Sequence, residues 1–156
     1  MRIIDKNREN YKRSFSDGKG CVFCENDEIL ECRSLTGKFW RVLVNRFPYM
    51  DGNLMIIPKK HVEKIEDIGP EEWRDFGDVL AEVKRVLGNI FKTDSFNIGL
   101  NLGPQSGASI AHLHWQVVPR KFKNITVMNT FADVYIVATT PEETKRLIDE
   151  ETGCSA

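Results

Sequence analysis

The sequence lacks long apolar runs and an excess of either charge, and it holds few histidines and cysteines. No segment approaches the about 18 consecutive apolar residues that a membrane-spanning helix needs. The start of the chain has no apolar core typical of a secretory signal, so we expect a cytoplasmic protein without a membrane partner. The 22 basic and 23 acidic residues give a net charge of −1, which argues against a nucleic-acid partner.

The chain also lacks internal repeats, low-complexity tracts and a linker rich in Pro, Gly or Ser. Its 156 residues therefore predict a single domain over residues 1–156. Residues 1–20 are polar and charged, and we expect them to form a flexible arm. A chain of this length buries roughly 70% of its unfolded surface, which is enough to fold without disulfides.

Hydrophobic periodicity predicts an α+β domain. Apolar residues recur every three or four positions from Pro70 to Phe91, which predicts one long helix, and residues 141–151 predict a short C-terminal helix. Alternating or β-branched segments predict strands at 39–45, 53–58, 95–102, 110–119 and 133–138. Pro48 and Asp51-Gly52 break the chain between the first two strands, which predicts a hairpin and an antiparallel sheet.

The segment Ile110-Ala-His-Leu-His-Trp-Gln-Val-Val-Pro119 holds two of the three histidines. On a strand, alternate side chains share a face, so His112, His114 and Gln116 form a row with neighbours about 7 Å apart. An ordinary core has no use for such a polar row. The opposite side is predicted to enter the core with Leu113, Trp115 and Val117.

His114 is the candidate nucleophile. A neutral imidazole can attack phosphorus through one nitrogen when an acceptor holds its other N–H, and the product is a phosphoramidate. The alternative is a half-buried histidine that only makes hydrogen bonds. The loop before it, residues 101–109, includes Gln105 among its predicted substrate contacts. Its Gly107 allows close backbone approach, and Ser109 offers a hydroxyl to an anion. A plain hairpin connection is the alternative for this loop, which has no Walker Gly-Lys-Ser/Thr.

The Cys21-Val-Phe-Cys24 segment has the spacing of a zinc knuckle but supplies only two of four ligands. His61 and His112 can complete a tetrahedral set. A thioredoxin-type redox pair is an alternative, although Glu25-Asn-Asp-Glu28 does not look like the start of the helix that this motif requires. Two unpaired buried thiols, with His61 as an ordinary surface residue, are a further alternative.

Together these segments, from about Cys21 to Arg120, resemble the histidine-triad superfamily. Gly107-Ala-Ser-Ile-Ala-His-Leu-His-Trp-Gln116 is similar to the Gly-x-Ser-x-x-His-x-His-x-Gln signature of its nucleotidyltransferase branch, which is typified by galactose-1-phosphate uridylyltransferase and includes diadenosine tetraphosphate phosphorylase-like proteins. Cys21-Val-Phe-Cys24 and Ile57-Pro-Lys-Lys-His61 match two further family segments in the expected order.

The resemblance implies a histidine-triad-like fold with a five-stranded antiparallel sheet and a homodimer. It implies that His114 is the nucleophile and that the backbone carbonyl of His112 accepts its N–H. It implies a structural zinc ion whose ligands are Cys21, Cys24, His61 and His112. It also places Asn101, Ser109 and Gln116 at the reacting phosphate and Asn45 at the ribose hydroxyls.

The chain departs from the hydrolase members at two positions. The hydrolases carry a histidine in place of Gln116, and they usually carry a histidine in place of Asn53. A histidine can hand a proton to an amine leaving group, whereas a glutamine only donates a hydrogen bond. Gln116 therefore suits leaving groups that depart as phosphates. This favours a nucleotidyltransferase or phosphorylase of adenine or uracil nucleotides, acting on dinucleoside polyphosphates or nucleotide sugars. The alternatives are a hydrolase of the same fold and a non-catalytic nucleotide-binding module.

Overall fold

The computed structural model describes residues 20–25, 30–106, 108, 110–120 and 138–154. The elements in these ranges are α1 (Val22–Glu25), β1 (Trp40–Val44), β2 (Leu54–Pro58), α2 (Pro70–Phe91), β3 (Phe96–Leu100), β4 (Trp115–Pro119) and α3 (Pro141–Thr152). Single 3₁₀ turns occur at Arg33–Leu35, Ile65–Asp67 and Pro104–Ser106. Within the described residues, no helix combines the length and apolar character that crossing a bilayer requires.

The sheet has the strand order β1-β2-β4-β3, and every neighbouring pair is antiparallel. The predicted hairpin of β1 and β2 is confirmed, with Val44 opposite Leu54. The described residues thus contribute four strands to an α+β fold with an antiparallel sheet. The predicted strand at 133–138 lies outside the described residues except for Ala138, as does the predicted arm except for Gly20.

Helix α2 covers one face of the sheet. It begins at Pro70, as predicted, because the Glu72 carboxylate accepts the Gly69 N–H at 2.6 Å and closes the first turn. Its buried side chains meet alternate sheet residues in one apolar core, whose largest fully buried members include Trp40, Leu54, Ile56 and Leu87. This burial supplies the main driving force for holding the helix on the sheet.

The opposite face of the sheet, here called the open face, carries Asn45, Asn53 and Gln116. A second apolar cluster on this face joins α1 to the sheet and consists of Val22, Phe23, Leu43, Met55 and Ile57. Arg41 clamps α1 in place, since its guanidinium donates to the Phe23 carbonyl at 2.9 Å. The fold therefore holds the two cysteines of the α1 segment against the sheet.

The histidine segment is only partly a strand. Strand β4 begins at Trp115, so the prediction of a strand over residues 110–114 is wrong. The physical reason is that the Leu113 N–H donates to the Val62 carbonyl at 2.8 Å, a partner outside the sheet ladder. The predicted inward side is nevertheless confirmed, because Leu113, Trp115 and Val117 all belong to the core under α2.

Gly52 makes the turn between β1 and β2, with φ of +74°, and a Cβ there would lie 2.3 Å from the Phe91 ring. We expect Gly52→Ala to lower the free energy of unfolding by about 2–4 kcal/mol, because left-handed strain adds to overlap with the core. Urea unfolding measures this loss. Gly77→Ala is the matched control, since a Cβ at this exposed α2 position meets no atom within 4 Å. It should add about 0.5–1 kcal/mol. Similar effects of the two substitutions would contradict the prediction.

Candidate functional site

Four side chains from distant parts of the sequence meet beside α1. The ligand atoms of Cys21, Cys24, His61 and His112 all lie within 4.8 Å of one another. His112 Nδ1 lies 3.3 Å from Cys21 Sγ and 3.6 Å from Cys24 Sγ, and His61 Nδ1 lies 3.6 Å from Cys24 Sγ. Around a tetrahedral zinc ion the sulfur–nitrogen edges would be about 3.6 Å long. The structure therefore brings together the predicted ligand set in an arrangement that fits a metal ion.

The far side of each histidine ring also suits ligation. His112 Nε2 donates to the Pro58 carbonyl at 3.0 Å, and His61 Nε2 lies 3.2 Å from the Glu63 carboxylate. These partners hold the proton on Nε2 and leave the Nδ1 lone pair facing the sulfurs. Burial lowers the pKa of His112 to about 4, so its ring is neutral at pH 7, which is the ligating form.

The surroundings of Cys24 disfavour its thiolate form. Partial burial, followed by the hydrogen bond and charge of Cys21, raises the pKa of Cys24 to about 11. A bound divalent cation reverses this trend because it stabilises thiolates directly. Metal binding by this set would therefore release the thiol proton of Cys24.

His114 lies next to this site but is not part of the ligand cluster. Its ring is 8% exposed, and its Nδ1–H donates to the His112 carbonyl at 2.8 Å. This bond fixes the neutral tautomer that carries its lone pair on Nε2. The Phe23 ring packs against it with ring centroids 5.5 Å apart. His114 therefore has the hydrogen bond that a nucleophilic imidazole requires.

Three carboxamides extend the site along the open face. Gln116 Oε1 accepts from Asn45 Nδ2 at 3.2 Å and from Asn53 Nδ2 at 2.9 Å. Gly99 of β3 pairs with Gln116, and a Cβ placed at Gly99 would meet no atom of the described residues within 4 Å. Directly paired residues share a face, so open space adjoins the Gln116 side chain.

The other predicted substrate contacts are Asn45 and four residues of the segment 101–109. Asn45 is buried, and both hydrogens of its amide are directed at protein acceptors. Its oxygen accepts the Phe47 N–H at 3.0 Å, which leaves one lone pair of that oxygen for a ribose hydroxyl. Asn101 and Gln105 are exposed in the loop after β3. Gly107 and Ser109 lie outside the described residues. The predicted contacts of this loop with substrate stay predictions.

Sequence reasoning missed four contributors to the site. Pro58 acts through its backbone carbonyl, which no side-chain pattern reveals. The position of Phe23 between the cysteines does not reveal its contact with His114, and the sequence around Asn53 does not reveal its bond to Gln116. Glu63, two residues after His61, was the one signal available, because metal-bound histidines often pair with a nearby carboxylate.

Comparison with known proteins identifies the family of the chain. Residues 36–123 match the model of the HIT domain family. AP-4-A phosphorylase of Mycobacterium tuberculosis is 32% identical over 116 residues, which is 74% of this chain and 60% of that protein. Bis(5'-nucleosyl)-tetraphosphatase (asymmetrical) of Schizosaccharomyces pombe is 30% identical over 84 residues, 54% of this chain and 46% of that protein. The chain therefore spans between about half and 60% of the length of these curated relatives.

A solved structure shows the same fold. A zinc-bound histidine triad family protein from Mycobacterium smegmatis superposes with a TM-score of 0.67 at 22% identity, over 86% of this chain and 94% of that one. The matched residues 36–123 contain all three histidines, the carboxamide row and strands β1 to β4. The chain belongs to the HIT domain family.

Proposed function

We propose that the protein is a nucleotidyltransferase or phosphorylase that acts on nucleoside phosphoanhydrides, either dinucleoside polyphosphates or nucleotide sugars. The observation that carries this proposal is the His114 ring, whose Nδ1–H is held by the His112 carbonyl at 2.8 Å. The neighbouring carboxamide row provides donors for a phosphate rather than a proton for an amine. The similarity to AP-4-A phosphorylase supports the same class of substrate.

The reaction passes through a covalent nucleotidyl-histidine. His114 Nε2 forms a bond to the α-phosphorus while the bond to the bridging oxygen breaks, and the leaving phosphate keeps the electron pair. An oxygen of inorganic phosphate or a sugar phosphate then attacks the same phosphorus. The P–N bond breaks, and its electron pair returns to the imidazole. The His112 carbonyl stabilises the positive charge on the ring between the two steps.

The remaining site residues have supporting roles in this proposal. Gln116 donates to the non-bridging oxygens of the reacting phosphate, where negative charge develops in the transition state. The loop residues that assist it are Asn101, Gln105, Gly107 and Ser109. Asn45 holds a ribose hydroxyl through its oxygen. The nucleotide carries adenine or uracil.

The metal ion is zinc, and its role is structural. Cys21, Cys24, His61 and His112 would hold it, and two thiolates with two imidazoles form a closed tetrahedral set with no position left for substrate. The ion would fasten the α1 segment to the open face of the sheet. The protein functions as a homodimer in the cytoplasm.

Products distinguish this proposal from its runner-up. The tetraphosphatase name of the S. pombe relative favours a hydrolase as the second candidate. We expect diadenosine tetraphosphate and inorganic phosphate to give ADP and ATP, measured by anion-exchange chromatography. Without phosphate, release of ATP should stop at about one equivalent per site, because the histidine adduct has no acceptor. AMP formed at a rate independent of phosphate would identify a hydrolase, and binding without any product would identify a nucleotide-binding module.

A further inference from the structure

We propose that Asn53 is a positioning residue that, together with Asn45, sets which end of the Gln116 carboxamide faces the reacting phosphate. The inference rests on the proposed function, because it assumes a phosphate beside Gln116. Asn53 is buried, with 1% of its surface exposed, so a substrate cannot contact it directly. Its effect on the reaction would therefore pass through the side chains that it holds in place, chiefly Gln116.

Two backbone N–H groups fix the orientation of the asparagine pair. The Phe47 N–H donates to Asn45 Oδ1 at 3.0 Å, and the Tyr49 N–H donates to Asn53 Oδ1 at 3.1 Å. A backbone N–H can only donate, so both side-chain oxygens must face the β1–β2 turn. The Leu54 carbonyl, which can only accept, receives a hydrogen from Asn53 Nδ2 at 3.1 Å. Neither asparagine can turn its amide over without leaving these groups unpaired.

The fixed asparagines in turn fix Gln116. Both Nδ2 groups point at it, so the atom that Gln116 turns toward them must be its oxygen, at 3.2 Å from Asn45 and 2.9 Å from Asn53. A reversed Gln116 would set its own N–H groups against these donors, and each buried unpaired donor costs about 1–3 kcal/mol. The Gln116 NH₂ group is consequently directed away from the pair, as a donor available to the open space beside Gly99.

Asn53 has no hydrogen-bonding capacity left for a ligand. Its two hydrogens go to Leu54 O and Gln116 Oε1, and its oxygen accepts from Tyr49 N–H and Asn45 Nδ2. All four possible bonds of the carboxamide are made inside the protein. This distinguishes it from a residue that touches the substrate.

The orientation matters because phosphate oxygens only accept hydrogen bonds. An N–H donor placed where negative charge develops contributes about 10²- to 10³-fold to kcat in comparable sites. A carboxamide oxygen in the same place would repel the phosphate. The hydrogen bonds that run from the Phe47 N–H through Asn45 and Asn53 to Gln116 thus orient the Gln116 NH₂ group as a donor to the reacting phosphate.

The test is a double-mutant cycle on diadenosine tetraphosphate with inorganic phosphate as acceptor. Asn53→Asp keeps the shape and the acceptor for Tyr49 but replaces the donor that faces Gln116 by an acceptor. Gln116 should then turn its NH₂ toward residue 53, and kcat should fall about 10- to 100-fold with a smaller change in KM. In a Gln116→Ala background the same substitution should change kcat less than twofold, because the residue through which it acts is gone.

Two further variants keep the test decisive. Asn53→Ser places no charge in the site and should show the same non-additivity with a smaller loss of kcat. This variant keeps the test informative if the aspartate variant folds poorly. Asn89→Asp, on the exposed surface of α2, makes the same chemical change away from the site and should leave kcat unchanged. Thermal unfolding of each variant confirms that the native fold is being compared.

Losses at Asn53 that multiply with the loss at Gln116 would overturn the proposal, because a merely structural residue acts independently of its neighbour. An unchanged kcat in Asn53→Asp would overturn it as well. His114→Ala is measured in the same assay to separate the two proposals. If that variant keeps its activity, the proposed function fails. If it is inactive while the Asn53 effects multiply, only the positioning role fails.

Discussion

Replacing His114 by alanine is expected to abolish turnover of nucleoside phosphoanhydrides, with a loss in kcat of about 10⁴- to 10⁶-fold. The imidazole is the only group in the described site with both a fixed tautomer and a free lone pair, since the ring nitrogens of His61 and His112 face the thiols or their own acceptors. Without it, water or phosphate must attack the α-phosphorus directly. The remaining donors can then stabilise the transition state but cannot form the intermediate.

The covalent adduct separates a nucleophile from a supporting residue. Wild-type protein mixed with a substrate labelled in the α-phosphate should retain label that is stable to denaturation and lost in acid, as a phosphoramidate is. His114→Ala should retain none. Gln116→Ala should still become labelled, about 10²- to 10³-fold more slowly, because it lacks only a donor to the charged oxygens. Label on the His114→Ala protein, or turnover within tenfold of wild type, would contradict the assignment.

The sequence was sufficient for those parts of the fold that local pattern decides. The start of α2 follows from Pro70 and the acidic first turn, and the hairpin of β1 and β2 follows from Asp51-Gly52 between two apolar segments. The inward side of the histidine segment follows from alternation, since Trp115 and Val117 enter the core as expected. In each case the deciding contacts are close in sequence or follow from a simple period.

The parts that could not be predicted depend on contacts between distant residues. Residues 110–114 do not form the predicted strand because the Leu113 N–H donates to the Val62 carbonyl. No sequence pattern in either segment indicates that pairing. The direction of the Gln116 amide depends on the backbone of a turn nearly seventy residues earlier in the chain, through Asn45 and Asn53. The ligand set was accessible to sequence reasoning because thiols and imidazoles are scarce in the chain and the donor chemistry is restrictive.

His112 connects the proposed metal site with the proposed nucleophile. Its ring faces the thiols of Cys21 and Cys24, while its backbone carbonyl accepts the Nδ1–H of His114 at 2.8 Å. A ligand held rigidly by an ion also holds its own backbone in place. The proposed structural ion and the proposed chemistry are therefore separated by a single residue, and loss of one should be felt by the other.

Loss of zinc is expected to lower the melting temperature by about 10–15 °C, because saturating ligand stabilises a protein of this size by about 4 kcal/mol. Cys24→Ser should weaken zinc binding by about 10²- to 10³-fold, since four ligands share about 10–16 kcal/mol of binding free energy. The kcat of this variant should fall several-fold, because a less rigid His112 holds the His114 ring less firmly through its carbonyl. Competition with a chelator of known affinity measures zinc binding, circular dichroism with and without a chelator measures melting, and the phosphorylase assay measures kcat.

Cys154→Ser is the matched control, because this exposed cysteine lies outside the ligand cluster. It should bind one zinc and melt like wild type. Lowering the pH should release the ion, since binding requires the thiols to lose their protons and the Cys24 pKa without metal is about 11. A chelator-treated protein with unchanged melting and activity, or equal zinc affinity in the two serine variants, would refute a structural ion at this site. His114 and Gln116 would then be held by hydrogen bonds alone.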